Sequence, residues 1–183
     1  MTQASQETQK TLCVLTSSEE ATIKLGRALG AALMEVTLMG TASMSSVTVL
    51  LSGGLGMGKT TLVRGIGDAL GAARVRSPSF TLVNEYCTAS LPMAHADLFR
   101  LEPGDVEDLG LEEYHESSSV LLVEWPERWI NQPEYDVLKV FIESRGENER
   151  LFDISSQGGT AYSVLQYLRE ATESSELGLS WKN

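Results

Sequence analysis

The chain has 183 residues, 42% of them apolar and 21% charged, with 14 Lys and Arg against 25 Asp and Glu for a net charge of −11. A chain of this size and composition can bury a core without disulfides, and its acidity disfavours tight sequence-independent binding to phosphate backbones, which needs Lys and Arg to displace counterions. A local anion site is still allowed, because backbone N–H groups can build one whatever the net charge.

The polar decapeptide Met1 to Lys10 reads as an unstructured tail, without the basic and apolar regions of a secretory signal. No apolar run reaches the roughly 20 residues that cross a bilayer, so the expected setting is cytoplasmic, with no membrane partner. Cys13 and Cys87 have no CxxC neighbour and are expected to be small core fillers, not a zinc or redox pair. Leu12 to Leu15 reads as a strand. The stretch Ser17-Ser18-Glu19-Glu20 then matches a capping box, with Ser17 as N-cap, ahead of a helix burying Ala21, Leu25, Ala28, Leu29 and Ala32.

Val47 to Leu51 is β-branched and apolar with no polar alternation, the pattern of a strand covered on both faces of a parallel sheet. A helix is predicted over 59–70, with Gly71 as a left-handed C-terminal cap. Further strands are expected at 80–86, 93–98 and 120–123, with short acidic helical stretches between Glu102 and His115. Two extended runs flanking residues 144–148 predict a hairpin, and a last helix spans about 161–171. The acidic segment 172–183 reads as a second tail. One α/β domain over residues 11–171 is therefore expected, with helices on a mainly parallel sheet and a C-terminal hairpin.

Between the buried strand and the predicted helix, Gly53-Gly54-Leu55-Gly56-Met57-Gly58-Lys59-Thr60 fits GxxxxGK[ST] in the context that this motif requires. Gly53, Gly56 and Gly58 permit backbone conformations closed to other residues, so that successive N–H groups, with Met57 among them, can wrap phosphates. Lys59 supplies a charge for the outer phosphates, the Thr60 hydroxyl a ligand for Mg²⁺, and Thr61 a contact to the α-phosphate. No [NT]KxD sequence follows, so ATP is favoured over GTP.

Hydrolysis needs more: a carboxylate on the metal side and a group that positions water. Glu124 ends the apolar strand before Trp125 and is the candidate metal-side acid; the alternative is a glutamate capping a strand at its solvent edge. In His95-Ala96-Asp97-Leu98-Phe99-Arg100 the alternation puts His95, Asp97 and Phe99 on one face. Asp97 either orients water or pairs with Arg100 or a nearby lysine. His95 reads as a hydrogen-bonded structural residue. Trp125 either packs the core or orients Glu124. Ser77, Pro78, Ser79 and Thr81 form a stiffened hydroxyl-rich loop suited to sensing a γ-phosphate.

Taken together, GGLGMGKTT, RSPSFTLVNEY, HADLFRL, EDLGLEEY and LLVEWPE resemble, in order, the TsaE family, also called YjeE, from about Glu19 to about Arg150. The resemblance implies a P-loop NTPase-like three-layer fold and a Mg²⁺-dependent ATPase of tRNA threonylcarbamoyladenosine (t6A) synthesis, slow alone and not itself the carbamoyl transferase. It implies TsaD and TsaB as partners, with tRNA reached only through their complex. Lys59, Asp97 and Glu124 would be catalytic, Thr60 and Glu124 would serve the metal, and 77–81 would be mobile. Glu19 and Arg150 match family positions near the nucleotide base. Gly54 stands where the family has Asp, Ser79 where it has Thr and Phe99 where it has Tyr. Two other readings of the same fold are a small-molecule kinase, for which no Arg-rich lid is visible, and a nucleotide switch with negligible turnover.

Overall fold

The computed structural model describes residues 11–39, 46–78, 81–88, 91–117, 120–173 and 180–182; the predicted tail at 1–10 and Ser79 lie outside this set. The strands are β1 (Thr11–Thr16), β2 (Val47–Ser52), β3 (Val83–Tyr86), β4 (Met93–Asp97), β5 (Val120–Glu124), β6 (Val137–Ser144), β7 (Arg150–Gln157) and β8 (Ser180–Lys182). They form one sheet in the order β3-β4-β5-β2-β6-β7-β1-β8. The helices are α1 (Glu19–Met39), α2 (Lys59–Leu70), α3 (Leu111–Glu116) and α4 (Gly159–Glu173), with 3₁₀ turns at Pro103–Asp105, Glu107–Leu109 and Pro126–Arg128.

The parallel part of the sheet is its centre, β4-β5-β2-β6, and the flanking strands join antiparallel. Period-two alternation along the central strands divides the interior into two cores. Val47, Val49 and Leu51 of β2 pack with Leu25 and Leu29 of α1 and Leu62 and Ile66 of α2. Leu50, Leu121 and Val123 point the other way, onto Val106, Leu111 and Trp129. Helices on both faces make the three layers, and β2 carries no polar alternation because both of its sides are covered.

α1 and α2 cross where neither has a side chain. A Cβ on Gly65 would lie 2.3 Å from the Ile23 carbonyl oxygen, and one on Gly26 would lie 2.4 Å from that of Leu62. The Arg27 guanidinium also bonds Asp68 across this junction at 2.9 Å. The close approach holds the first turns of α2, and with them the loop before it, against the rest of the domain.

The structure corrects four local expectations. α1 begins one residue later than a Ser17 cap requires, so Ser18 Oγ accepts the Ala21 N–H at 3.1 Å. Ala21 is only half-buried; Thr22 takes the inward position, its hydroxyl 2.9 Å from that of Thr16. Neither cysteine is core. Cys87 is exposed beyond the end of β3, and Cys13 is half-buried on β1, where its hydrogen bond to Asp153 and partial burial push the thiol pKa up. Finally, the segment read as a C-terminal tail is partly structured: α4 runs on to Glu173, and Ser180–Lys182 pairs antiparallel with Cys13–Leu15. A strand edge offers unpaired N–H and C=O groups that even a three-residue segment can fill through its backbone, which residue composition does not register.

Candidate nucleotide-phosphate site

β2, β4 and β5 end at the same edge of the sheet, where ligands bind in open α/β folds, and the glycine loop leaves β2 there. Gly53, Gly56 and Gly58 have φ of 137°, 74° and 101°, so the two glycines that the motif fixes and Gly56 between them all hold left-handed backbone that favours glycine. At Gly53 a Cβ would also lie 2.4 Å from the Ile142 carbonyl oxygen. Gly54 differs: its nearest obstacle is Met57 Cγ at 3.6 Å, so nothing in the backbone requires glycine there. α2 starts at Lys59 as predicted, and Gly71 caps it at φ 80°.

Lys59 is 4% exposed, and its ammonium donates to the carbonyls of Gly53 at 2.7 Å and Gly54 at 2.8 Å. It also sits 3.9 Å from the centre of the Trp125 ring. Burial lowers its pKa from the ordinary lysine value, while the charges of Glu124, Asp97 and Glu127 act in the opposite direction. The cation is thus held by carbonyl dipoles and a π face, contacts that a phosphate can replace with stronger ones.

Glu124 is buried at the end of β5, and its Oε1 accepts two hydrogen bonds, from the Thr60 hydroxyl at 2.7 Å and from His95 Nε2 at 3.0 Å. Asp97 lies beside it in the β4–β5 register. The Asp97 carboxylate accepts the Ser77 hydroxyl at 2.8 Å and the Phe99 N–H at 3.2 Å, so the loop after α2 is tied to β4 through Ser77. Trp125 has φ 60° and ψ 50°, a left-handed backbone rare for an aromatic residue, and its ring packs against Phe99 with centroids 4.8 Å apart. That turn swings the indole over Lys59 at the point where the chain leaves β5.

These side chains enclose a cleft of about 390 Å³. Gly56, Met57, Gly58, Lys59, Thr60, Thr61, Ser77, Asp97, Glu124 and Trp125 line it, whereas Gly53 does not and meets the site only through its carbonyl, which accepts the Lys59 ammonium. Other expected residues stand apart from it. Thr81 bonds Asn84 at 2.6 Å on the surface, and Pro78 does not line the cleft. Glu19 pairs with Arg64 at 3.2 Å on exposed helix faces. The Arg150 guanidinium donates to the carbonyls of Gly146, Glu147 and Glu149, closing the β6–β7 hairpin. Leu55, Leu82 and Arg100, which sequence reasoning did not assign to the site, also line the cleft. For Leu55 there was a signal: an apolar residue among loop glycines, 73% exposed at the tip.

No group of three or more His, Cys, Asp or Glu among the described residues can hold a metal by itself. Thr60 and Glu124 instead offer two hard oxygen donors next to the phosphate loop. That set fits Mg²⁺, which takes one or two protein oxygens and completes its shell with phosphates and water.

The strand, glycine loop and helix, with acids from the neighbouring strands, define a protein of the P-loop fold. The family model described as "Threonylcarbamoyl adenosine biosynthesis protein TsaE" matches residues 16–152, and the chain belongs to the TsaE family. It is 40% identical over 109 residues to a Bacillus subtilis protein named tRNA threonylcarbamoyladenosine biosynthesis protein TsaE, covering 59% of this chain and 68% of that one. A protein of the same name from Rickettsia felis is 30% identical over 162 residues, covering 85% and 86%. The crystal structure of Bacillus subtilis YdiB superposes with a TM-score of 0.73 at 28% identity, over 91% of this chain and 99% of that one. Among the described residues no helix is long and apolar enough to cross a membrane.

Proposed function

We propose that this chain binds ATP with Mg²⁺ at the P-loop, hydrolyses it, and thereby serves t6A modification of tRNA in the cytoplasm through a complex of TsaD and TsaB. The observation that carries the chemistry is the convergence of Lys59, the Thr60 hydroxyl and the Glu124 carboxylate on one cleft. The pathway assignment draws on family membership and on the names of the relatives.

In this reading the loop N–H groups from Gly56 to Thr61 wrap the phosphates, and the N-terminus of α2 adds its positive dipole end. Lys59 exchanges its carbonyl partners for phosphate oxygens and neutralises charge that develops during transfer. Thr60 and Glu124 would hold Mg²⁺, which when bound supplies Lewis-acid stabilisation of the phosphoryl oxygens. Asp97 orients the attacking water. Ser77, hydrogen-bonded to Asp97, lets the loop after α2 respond to the γ-phosphate. Trp125 keeps the end of β5 in the turn that presents Glu124.

The test is ATP hydrolysis by the purified chain, alone and with TsaD and TsaB. Slow turnover that the partners stimulate, with ADP and free phosphate as products, is expected. Absence of stimulation together with absence of co-elution would remove the proposal, and phosphoryl transfer to a small acceptor would replace it with a kinase.

A further inference from the structure

We infer that His95 is a positioning residue: its imidazole holds the Glu124 carboxylate in the pose that serves the metal side of the nucleotide site. The inference deepens the magnesium–ATP reading above and depends on it.

His95 is fully buried in β4, and its Nε2 lies 3.0 Å from Glu124 Oε1. A carboxylate only accepts hydrogen bonds, so the ring nitrogen donates. The other ring nitrogen, Nδ1, is buried and has no hydrogen-bond partner among the described residues. A buried polar atom left in that state opposes folding, whereas a leucine would fill the same space without that cost. What the imidazole supplies that leucine cannot is the Nε2 donor aimed at Glu124.

The same carboxylate oxygen also accepts the Thr60 hydroxyl, which leaves Oε2 outside both bonds. Thr60 sits in the first turn of α2, the helix that meets the phosphates, so its hydroxyl answers to the ligand. His95 is anchored in the sheet between β3 and β5 and does not. It is therefore the fixed contact that keeps Glu124 from swinging, and groups that hold a ligating side chain in this way typically change metal affinity about 10–100-fold when removed.

The experiment measures ADP affinity by calorimetry with excess Mg²⁺ and with chelator, and takes the ratio of the two. In the wild-type chain Mg²⁺ is expected to tighten binding, and Glu124→Gln is expected to abolish that gain. His95→Leu is expected to reduce the ratio about tenfold or to unity, while chelated-ADP affinity stays as in wild type and the melting temperature is unchanged or raised. His95→Gln, whose amide nitrogen reaches the place of Nε2, is expected to restore the ratio; His95→Asn, one bond shorter, is not. In a Glu124→Gln background His95→Leu should change nothing further.

A His95→Leu ratio equal to wild type, or an equal loss with and without Mg²⁺, would overturn the positioning role while leaving the magnesium reading intact. Should the leucine variant fail to fold, the Gln and Asn pair decides, and equal ratios in those two would overturn it. A wild-type ratio of unity would instead overturn the magnesium reading, and this inference with it.

Discussion

At the scale of single residues, Lys59 and His115 show how burial turns into a measurable dependence. Lys59 is a nearly buried cation whose partners are carbonyls and an indole face, and phosphate offers it charge-assisted bonds instead. Such bonds contribute about 1.5–3 kcal/mol, so Lys59→Ala is expected to weaken ATP binding roughly 10- to 150-fold by calorimetry. Its fold should survive, because the substitution removes a desolvated charge. His115 is half-buried at the end of α3, with its Nδ1 2.9 Å from the Thr48 hydroxyl of β2. Desolvation lowers its pKa from 6.5, against smaller opposing contributions from Asp136 and Glu116. Below 6.5 the unfolded chain therefore binds more protons than the folded one at this site. The associated stability is complete above that pH and is lost as pH falls through the folded value. Thermal midpoints measured from pH 7.5 down to 5 should drop more steeply in the wild type than in His115→Gln; parallel curves would show that His115 does not contribute.

At the scale of elements, the P-loop is a junction whose precision depends on the crossing of α1 and α2. Gly65→Ala tests this, because two effects compete. Alanine favours the helix by about 1 kcal/mol over glycine. Its Cβ, however, would lie 2.3 Å from a backbone oxygen of Ile23, which can move only if α1 moves. Overpacking of that kind costs about 1–3 kcal/mol, so net destabilisation is expected in urea unfolding, with weakened nucleotide binding as α2 shifts. A stabilised variant would mean that the crossing is looser than described. The strands and helices themselves were largely legible in the residues: α2 starts and ends where the motif and Gly71 predict, and β2 where the apolar run predicts. The misreadings have local physical causes. Ser17 and Ser18 are chemically alike, and only the start of α1 decides which one caps it. β8 is a segment of only three residues whose partner, β1, lies more than 160 residues away in sequence.

At the scale of the molecule, the net charge of −11 and the tRNA in the family's name look opposed. They agree if tRNA is held by the partner proteins and this chain meets it only within the complex. The free protein is then expected to bind tRNA no more tightly than about 10⁻⁴ M at physiological salt, the weak end of non-specific binding. A filter or fluorescence titration checks this, and micromolar binding by the isolated chain would require a basic surface that the composition does not suggest.

By itself the sequence determined the α/β class, the glycine loop with its flanking strand and helix, and the candidate residues of the site. Those features are local: glycine positions, capping and apolar runs act over a few residues, and their conformations follow from adjacent side chains. Only the tertiary structure decided which distant groups meet. It drew Thr60, Glu124 and His95 into one hydrogen-bonded set from α2, β5 and β4, tied Ser77 to Asp97, and swung Trp125 over Lys59. It also left Glu19 and Arg150 outside the cleft, each held by a surface partner. Strand order sets these outcomes. β5 pairs with β2 and β4 with β5 because the apolar faces of these strands must be covered on both sides, and that packing requirement is written in no single stretch of the chain.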